Sequence, residues 1–346
     1  MHWKIEVMGE ENVDVSVLMS IYEEPIDWIK DSVYSILQQT FTNFEFIILI
    51  DHPNRTDVRL FFKELIKQDR RIRLIQNETN IGLTKSLNRG LSVAKGRYVA
   101  RMDADDISDV RRLEIQYNFL NQHPSVDVCG SFAKLFGNVH FYSKKFVSFP
   151  VSNRGILINS LFENPIVHPS VMMKHTIQGQ SVCYNEEMKK SQDFFLWGDL
   201  LIRGAVFSNI PKYLLSYRIS KQQISCKNKK EQVKVADLVR KQLLLSLVPN
   251  ITIGEISIHN MICENKKGEV CLLNQKLSWL EKIHHILADL FPESIADVDE
   301  ILFKYRFSAY LNADKPSLIF HDRYFKLILF LKNKYWIDLI RHLLKK

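Results

Sequence analysis

The chain has 346 residues, 46% of them hydrophobic and 25% charged, and a formal charge of +8. These fractions belong to a globular protein that can bury a large core. They exclude a disordered, collagenous or coiled-coil chain, and the length predicts two domains or one large domain with an appendage. The charge is uneven: residues 1–226 carry 27 Lys and Arg against 25 Asp and Glu, whereas residues 227–346 carry 20 against 14, so the last third holds most of the excess.

Val13, Val15 and Val17 alternate with polar residues as in a strand. Ile26, Ile29, Val33, Ile36 and Leu37 then recur at helical spacing. Phe44–Ile50 is a continuous apolar run of strand length, 58–66 reads as a helix, 73–76 as a short strand, and 83–94 as a helix that Gly96 can close. Tyr98–Met102 is a further strand, running into Asp103-Ala104-Asp105-Asp106. Strands alternating with helices imply right-handed crossovers and a mostly parallel sheet, whose ligands bind beyond the carboxyl ends of the strands. Beyond these lie a helix at 110–122, strand-like pieces at 126–149, an apolar stretch at 166–173, a helix at 193–202 closed by Gly204, and strands at 206–210 and 214–219. Residues 227–346 read as largely helical, with amphipathic stretches at 231–247, 277–291 and 323–344.

Three polar groups fall at predicted strand ends: Ser20 with Tyr22, Asp51, and Asp103 with Asp105. In an extended segment residues i and i+2 share a side, so Asp103 and Asp105 can face one ligand. Hard carboxylate oxygens suit Mg²⁺ or Mn²⁺ held together with substrate phosphates. A second reading makes the same residues a polar turn in which Asp106 or Ser108 caps the next helix. Asp51 can accept hydrogen bonds from a base or ribose, or can simply start the turn that Pro53 punctuates. Tyr22 can stack on a base or belong to the core. Asn80-Ile81-Gly82 precedes a helix bearing Lys85, which reads either as an anion site or as a capped tight turn.

The ordered succession of Val15–Tyr22, Ser35–Phe41, Phe44–Ile48, Asn80-x-Gly82-Leu83, Asn88-x-Gly90-Leu91, Ala94–Tyr98 and Arg101–Asp106 resembles family 2 glycosyltransferases of the GT-A fold. His168–Met172, Gln192-Asp193 and Tyr217-Arg218 continue the likeness, which covers about residues 13–226. The resemblance implies an α/β GT-A-type nucleotide-binding domain with a mostly parallel central sheet over 1–226; the basic, mainly helical region over 227–346 lies outside it and is read from its own residues. It implies an inverting transferase that moves one sugar from a UDP-sugar with Mn²⁺ or Mg²⁺. By position Ser20, Tyr22 and Asp51 hold the uridine, Asp103 lies near the ribose, and Asp105 binds the metal. Asn80, Gly82, Lys85 and Arg101 join the donor site, Asp193 is the general base, and Gln192 and His168 help position donor or acceptor, His168 being equally readable as a hydrogen-bonded structural histidine before Pro169. Read locally, Asp193 is also a candidate N-cap for the helix it precedes.

Departures from the family pattern are Ile50-Asp51 in place of paired acids, Glu23 after Tyr22, Gln192 before the base, and Ser220 where relatives often carry a metal-binding His. No Q-x-x-R-W motif occurs, which favours a single addition per encounter. Residues 323–346 mix leucines and aromatics with seven Lys or Arg and one Asp, a composition suited to an anionic membrane surface or to a packed terminal helix. The acceptor expected on these grounds is a lipid-linked or growing surface glycan of lipopolysaccharide, O-antigen or capsule type, met at the inner face of the cytoplasmic membrane. The five cysteines show neither a disulfide framework nor a zinc pattern, and the N-terminus is too polar for a signal peptide. A sugar-phosphate nucleotidyltransferase would need a Gly-rich basic loop where Ser20–Pro25 stands. A nucleic-acid-binding protein would need a recognition motif, and none is visible.

Overall fold

The computed structural model describes residues 13–138, 145–220 and 229–321. In chain order the elements are β1 (Val15–Ile21), α1 (Ile26–Leu37), β2 (Phe44–Ile50), α2 (Thr56–Gln68), β3 (Ile72–Gln76), α3 (Leu83–Leu91), β4 (Tyr98–Asp103) and β5 (Ile107–Ser108). There follow α4 (Arg112–Gln122), β6 (Val128–Gly137), β7 (Phe146–Val147), α5 (Asn153–Ser160), β8 (Met172–Lys174), the short pair β9 (Thr176–Ile177) and β10 (Gln180–Ser181), α6 (Gln192–Ile202) and β11 (Phe207–Ile219). The chain closes with α7 (Lys229–Leu247), α8 (Ile253–Cys263), α9 (Val270–Leu290) and α10 (Ile295–Leu311).

β1 and β2 are buried along their whole length, as continuous apolar runs in a sheet covered on both faces must be. The main sheet runs β3-β2-β1-β4-β8-β6-β11-β5, with β7 on β6. Its first four strands are parallel, as are β6 and β11, whereas β8 runs antiparallel between β4 and β6. Chain order moves outward from β1 through β2 to β3 and then returns to β1's other side as β4. The order therefore reverses between β1 and β4, where Ser20 stands opposite Asp103 in register. That is the crevice in which such sheets bind ligands.

Two packed units emerge. One takes the chain up to Ile156 together with Asn164–Ala236, and the other takes Leu157–Glu163 together with the chain from Asp237 onward. The expected boundary at 226–227 and the basic stretch at 323–346 lie outside the described residues. In the second unit Leu273, Phe303, Phe307, Tyr310 and Ile319 form a core. α8 opens with a capping box between Thr252 and Glu255. The segment Leu157–Glu163 is gripped within this unit: Arg240 Nη1 donates to the Phe162 carbonyl at 3.3 Å, His259 Nε2 donates to the Leu161 carbonyl at 2.6 Å, and the Phe162 ring stacks on Tyr305. Among the described residues no helix is long and apolar enough to cross a membrane.

Three local expectations are corrected. α3 stops at Leu91, and Gly96 is no helix cap: a Cβ there would lie 2.4 Å from the Ser16 nitrogen, so glycine is required by the close passage of β1. The two strands expected at 206–210 and 214–219 are one strand, β11, with register shifts around Pro211 that let it continue past a residue without an N–H. α9 starts at Val270, well before the expected 277. Gly204 does close α6, with φ +86°.

Candidate active site

β4 delivers the acidic residues to the crevice, but not by strand alternation. The chain turns at Ala104-Asp105, and the Asp106 N–H donates back to the Asp103 carbonyl at 3.4 Å. The turn gathers three carboxylates, Asp103, Asp105 and Asp106, each offering an oxygen within 4.8 Å of the others. Asp106 and Ser108 do not cap α4, whose N-cap is Arg111. Asp106 is 0% exposed, and its Oδ1 accepts the Arg218 N–H at 2.7 Å.

Two guanidinium groups fix this turn. Arg101, buried beneath it, pairs with Asp103 and donates to the Met102 carbonyl and, at 3.2 Å, to that of Leu18. It thus holds an acid of the site from the protein side. Arg218 lies over the Trp28 and Phe136 rings at 4.7 and 4.4 Å, and its Nε donates to the Asp105 carbonyl at 2.6 Å. Burial, then the charges of Asp103 and Glu24, push the Asp105 carboxyl up to about 7. Asp106 is raised well above its ordinary value by burial and then by the charges of Asp103 and Asp105. Carboxylates that resist ionisation together and whose oxygens are hard donors form a set that a divalent cation satisfies. Asp106 Oδ2, buried and without a hydrogen-bond partner, belongs to the same set. The residues present fit such an ion.

Asp51 directly follows β2 at 2% exposure, and its carboxylate accepts from Asn77 Nδ2 at 2.8 Å and from the Ile81 and Gly82 N–H groups at 2.9 Å. Three of roughly four acceptor positions are therefore engaged in holding the turn that starts α3. Asn80 Oδ1 also accepts from Gly82, whose φ of +85° requires glycine. Tyr22, 37% exposed, leans on His52 with ring centroids 5.6 Å apart; it is a rim residue and not core. Arg55 pins the loop beneath it by donating to the Tyr22 and Glu24 carbonyls at 2.8 and 2.9 Å. Ser20 is buried at the end of β1, and Lys85 is exposed in the first turn of α3.

Asp193 stands on the other wall. It is the second residue of α6 and not its N-cap, a place taken by Ser191 in the left-handed region with φ 51°. Burial raises its carboxyl, against hydrogen bonds from the Phe194 N–H and Asn164. Asn164 Nδ2 donates to Asp193 Oδ2 at 2.7 Å. Gln192 is buried beside it. His168 Nε2 meets the Tyr184 hydroxyl at 2.8 Å, and burial together with Arg101 lowers its proton affinity well below the usual range. Asn88 clamps Tyr184 from α3, donating to its carbonyl at 2.9 Å and accepting its N–H at 2.8 Å.

The two walls share one electrostatic environment. The Tyr217 phenol is raised first by burial and then by Asp106, Asp103, Asp105 and Asp193 together. The structure therefore brings Ser20, Arg101, Asp103, Asp105, His168, Gln192 and Asp193 around the end of β4. Asp51, Asn80 and Gly82 form a linked group at the neighbouring strand end. Lys85 enters none of these bonds, and Ser220 follows the last residue of β11, two places after Arg218. Asn77, Asn164 and Tyr184 were not visible in the sequence, because each acts on a partner far away in the chain and none sits in a local pattern; Asn88 and Arg218 stood in the family-like motifs, without a sign of the bonds they make.

Residues 16–174 match the family model described as Glycosyl transferase family 2. The chain is 35% identical over 205 residues to an uncharacterized glycosyltransferase of Methanocaldococcus jannaschii, covering 59% of this chain and 70% of that protein. It is 29% identical over 214 residues to the O-antigen biosynthesis glycosyltransferase WbnJ of Escherichia coli, covering 59% and 79%. The crystal structure of S. aureus TarS 1–349 in complex with UDP-GlcNAc superposes with a TM-score of 0.55 at 16% identity, covering 86% of this chain and 90% of that one.

Proposed function

The chain belongs to glycosyl transferase family 2 and is a glycosyltransferase, and from that premise we propose that it moves one sugar, with inversion, from a UDP-sugar to a hydroxyl of a lipid-linked or growing surface glycan. The observation that carries this reading is the acidic turn at the end of β4, set in the crevice opposite Ser20. The complex of the TarS fold neighbour with UDP-GlcNAc supports the donor class, and the O-antigen role in the name of the Escherichia coli relative supports the acceptor class. Residues 1–226 are the catalytic domain in this reading. The basic segment 323–346 brings the enzyme to an anionic membrane face, a role that rests on sequence composition alone.

Asp105, with Asp103 beside it, would hold Mn²⁺ or Mg²⁺ on the donor diphosphate. When bound, the ion supplies charge stabilisation for the leaving group. The chain's own residues do the rest. Asp103, oriented by its pairing with Arg101, accepts from the ribose. Ser20, Tyr22 and Asp51 receive the uridine, with Tyr22 as the stacking face and the last acceptor position of Asp51 for a base N–H. Asn80, Gly82 and Lys85 form the polar edge of that pocket, and His168 and Gln192 line the sugar side. Asp193 takes the proton of the acceptor hydroxyl as its oxygen bonds to the anomeric carbon and the bond from that carbon to the diphosphate breaks. A raised carboxyl suits a base that must hold this proton until the product leaves. One displacement inverts the configuration.

The test is a panel of UDP-sugars assayed for Mn²⁺-dependent UDP release, with mass spectrometry of products formed on lipid-linked acceptors. Turnover of at least one UDP-sugar, lost in Asp193→Asn, is expected. Absence of turnover across the panel alongside turnover of another nucleotide-sugar would overturn the donor assignment.

A further inference from the structure

A carboxylate acting as a base needs a fixed rotation, because a misplacement of about 1 Å at a reacting group costs on the order of 100-fold in rate. The tie on Asp193 is a side-chain amide. Asn164 Nδ2 donates to Asp193 Oδ2 at 2.7 Å, while Asn164 Oδ1 accepts the Ile166 N–H at 3.2 Å. The second bond determines which way the amide faces: its oxygen is engaged by a backbone donor, so its NH₂ is turned to the carboxylate.

The backbone of Asn164 is fixed from the residue that follows it. Pro165 follows it, which holds Asn164 to an extended conformation, and the Pro165 carbonyl accepts from Asn209 Nδ2 at 3.1 Å. A residue held by a following proline whose own carbonyl is anchored has little freedom to swing.

We propose that Asn164 is the positioning residue for the general base: it sets the rotation of the Asp193 carboxylate and stabilises its ionised form. The inference rests on the reading of Asp193 as base. The charged and titratable groups that face Asp193 are Asp103 from β4, Tyr184 from the segment before α6 and Tyr217 from β11. Asp103 repels the ionised form, and the Tyr184 hydroxyl is engaged by His168 Nε2 at 2.8 Å.

The test uses the full chain with Asn164→Ala, Asn164→Asp and Asp193→Asn. Readouts are thermal stabilisation by UDP with Mn²⁺, and UDP release from whichever of UDP-GlcNAc, UDP-Glc, UDP-Gal and UDP-GalNAc the wild type turns over. Asn164→Ala should keep the UDP-induced stabilisation and the donor KM, lower kcat roughly 10- to 100-fold, and move the acid limb of the kcat profile to higher pH. Asn164→Asp should move that limb further, since a like charge then faces the base. An unchanged kcat and acid limb in Asn164→Ala, beside a dead Asp193→Asn, overturns the positioning role alone. Loss of UDP-induced stabilisation in Asn164→Ala overturns it as well, by showing a merely structural part. Near-wild-type turnover in Asp193→Asn overturns the underlying assignment of the base.

Discussion

Raising the pH should destabilise the metal-free catalytic unit, and Asp105 sets much of the amount. Its carboxyl ionises at about 7 in the fold against an ordinary 3.8. Between those values the folded protein keeps a proton that the unfolded chain has lost, so stability falls as pH rises and levels off above about pH 7. The loss from this one group is roughly 4 kcal/mol, a large fraction of a domain's usual margin of about 5–15 kcal/mol. Asp106 shifts in the same direction and steepens the fall. A divalent cation replaces the proton, so its stabilising effect should grow from pH 5 to pH 8. The assay is urea unfolding at pH 5, 6, 7 and 8, in EDTA and in Mn²⁺, for the wild type and Asp105→Asn. Wild type in EDTA should lose stability across this range, the variant should lose markedly less, and Mn²⁺ should restore the wild type most at pH 8. Parallel pH curves for the two proteins in EDTA would refute the reasoning, because the turn would then carry no strained carboxylate at Asp105.

Gly82→Ala forces a side chain into a backbone region with φ +85° and ψ 158°, a strain of about 1–3 kcal/mol. Since Asp51 holds that turn, donor KM should rise while kcat changes less, as steady-state kinetics would show. Gly96→Ala drives a Cβ against the β1 backbone and should cost about 3 kcal/mol or prevent folding, measured by chemical denaturation. In the helical unit His259 is held neutral, its pKa lowered to about 4 by burial. The unfolded chain takes up the proton first as pH falls from about 6.5, so this unit should lose roughly 3 kcal/mol between about pH 6.5 and pH 4. His259→Gln should flatten that decline in an acid titration followed by Trp279 fluorescence.

The parallel half of the fold was legible because its strands are buried on both faces. Runs such as Phe44–Ile50 admit no other simple reading, and the helices between them keep a clear apolar stripe. Glycine was legible at position 204, where the helix end demands a left-handed residue, but not at 96, where the constraint is another strand's backbone passing 80 residues away in sequence. The acidic cluster was found for an incomplete reason: alternation along a strand would align two carboxylates, whereas the turn and the Arg218 N–H bring in a third. Asn164 gave no signal, since its meaning depends on a bond to a residue 29 positions on. The membership of Leu157–Glu163 in the helical unit was equally hidden, because it comes from Arg240, His259 and Tyr305 and not from any change in composition.

The most direct measurement of the central claim is the thermal stability of the wild type and Asp105→Ala with UDP, with Mn²⁺, and with both. The wild type should be stabilised far more by UDP and Mn²⁺ together than by either alone, and Asp105→Ala should lose that joint effect while folding normally. Equal stabilisation of the two proteins by UDP with Mn²⁺, or none in the wild type, would contradict a nucleotide diphosphate held through the acidic turn.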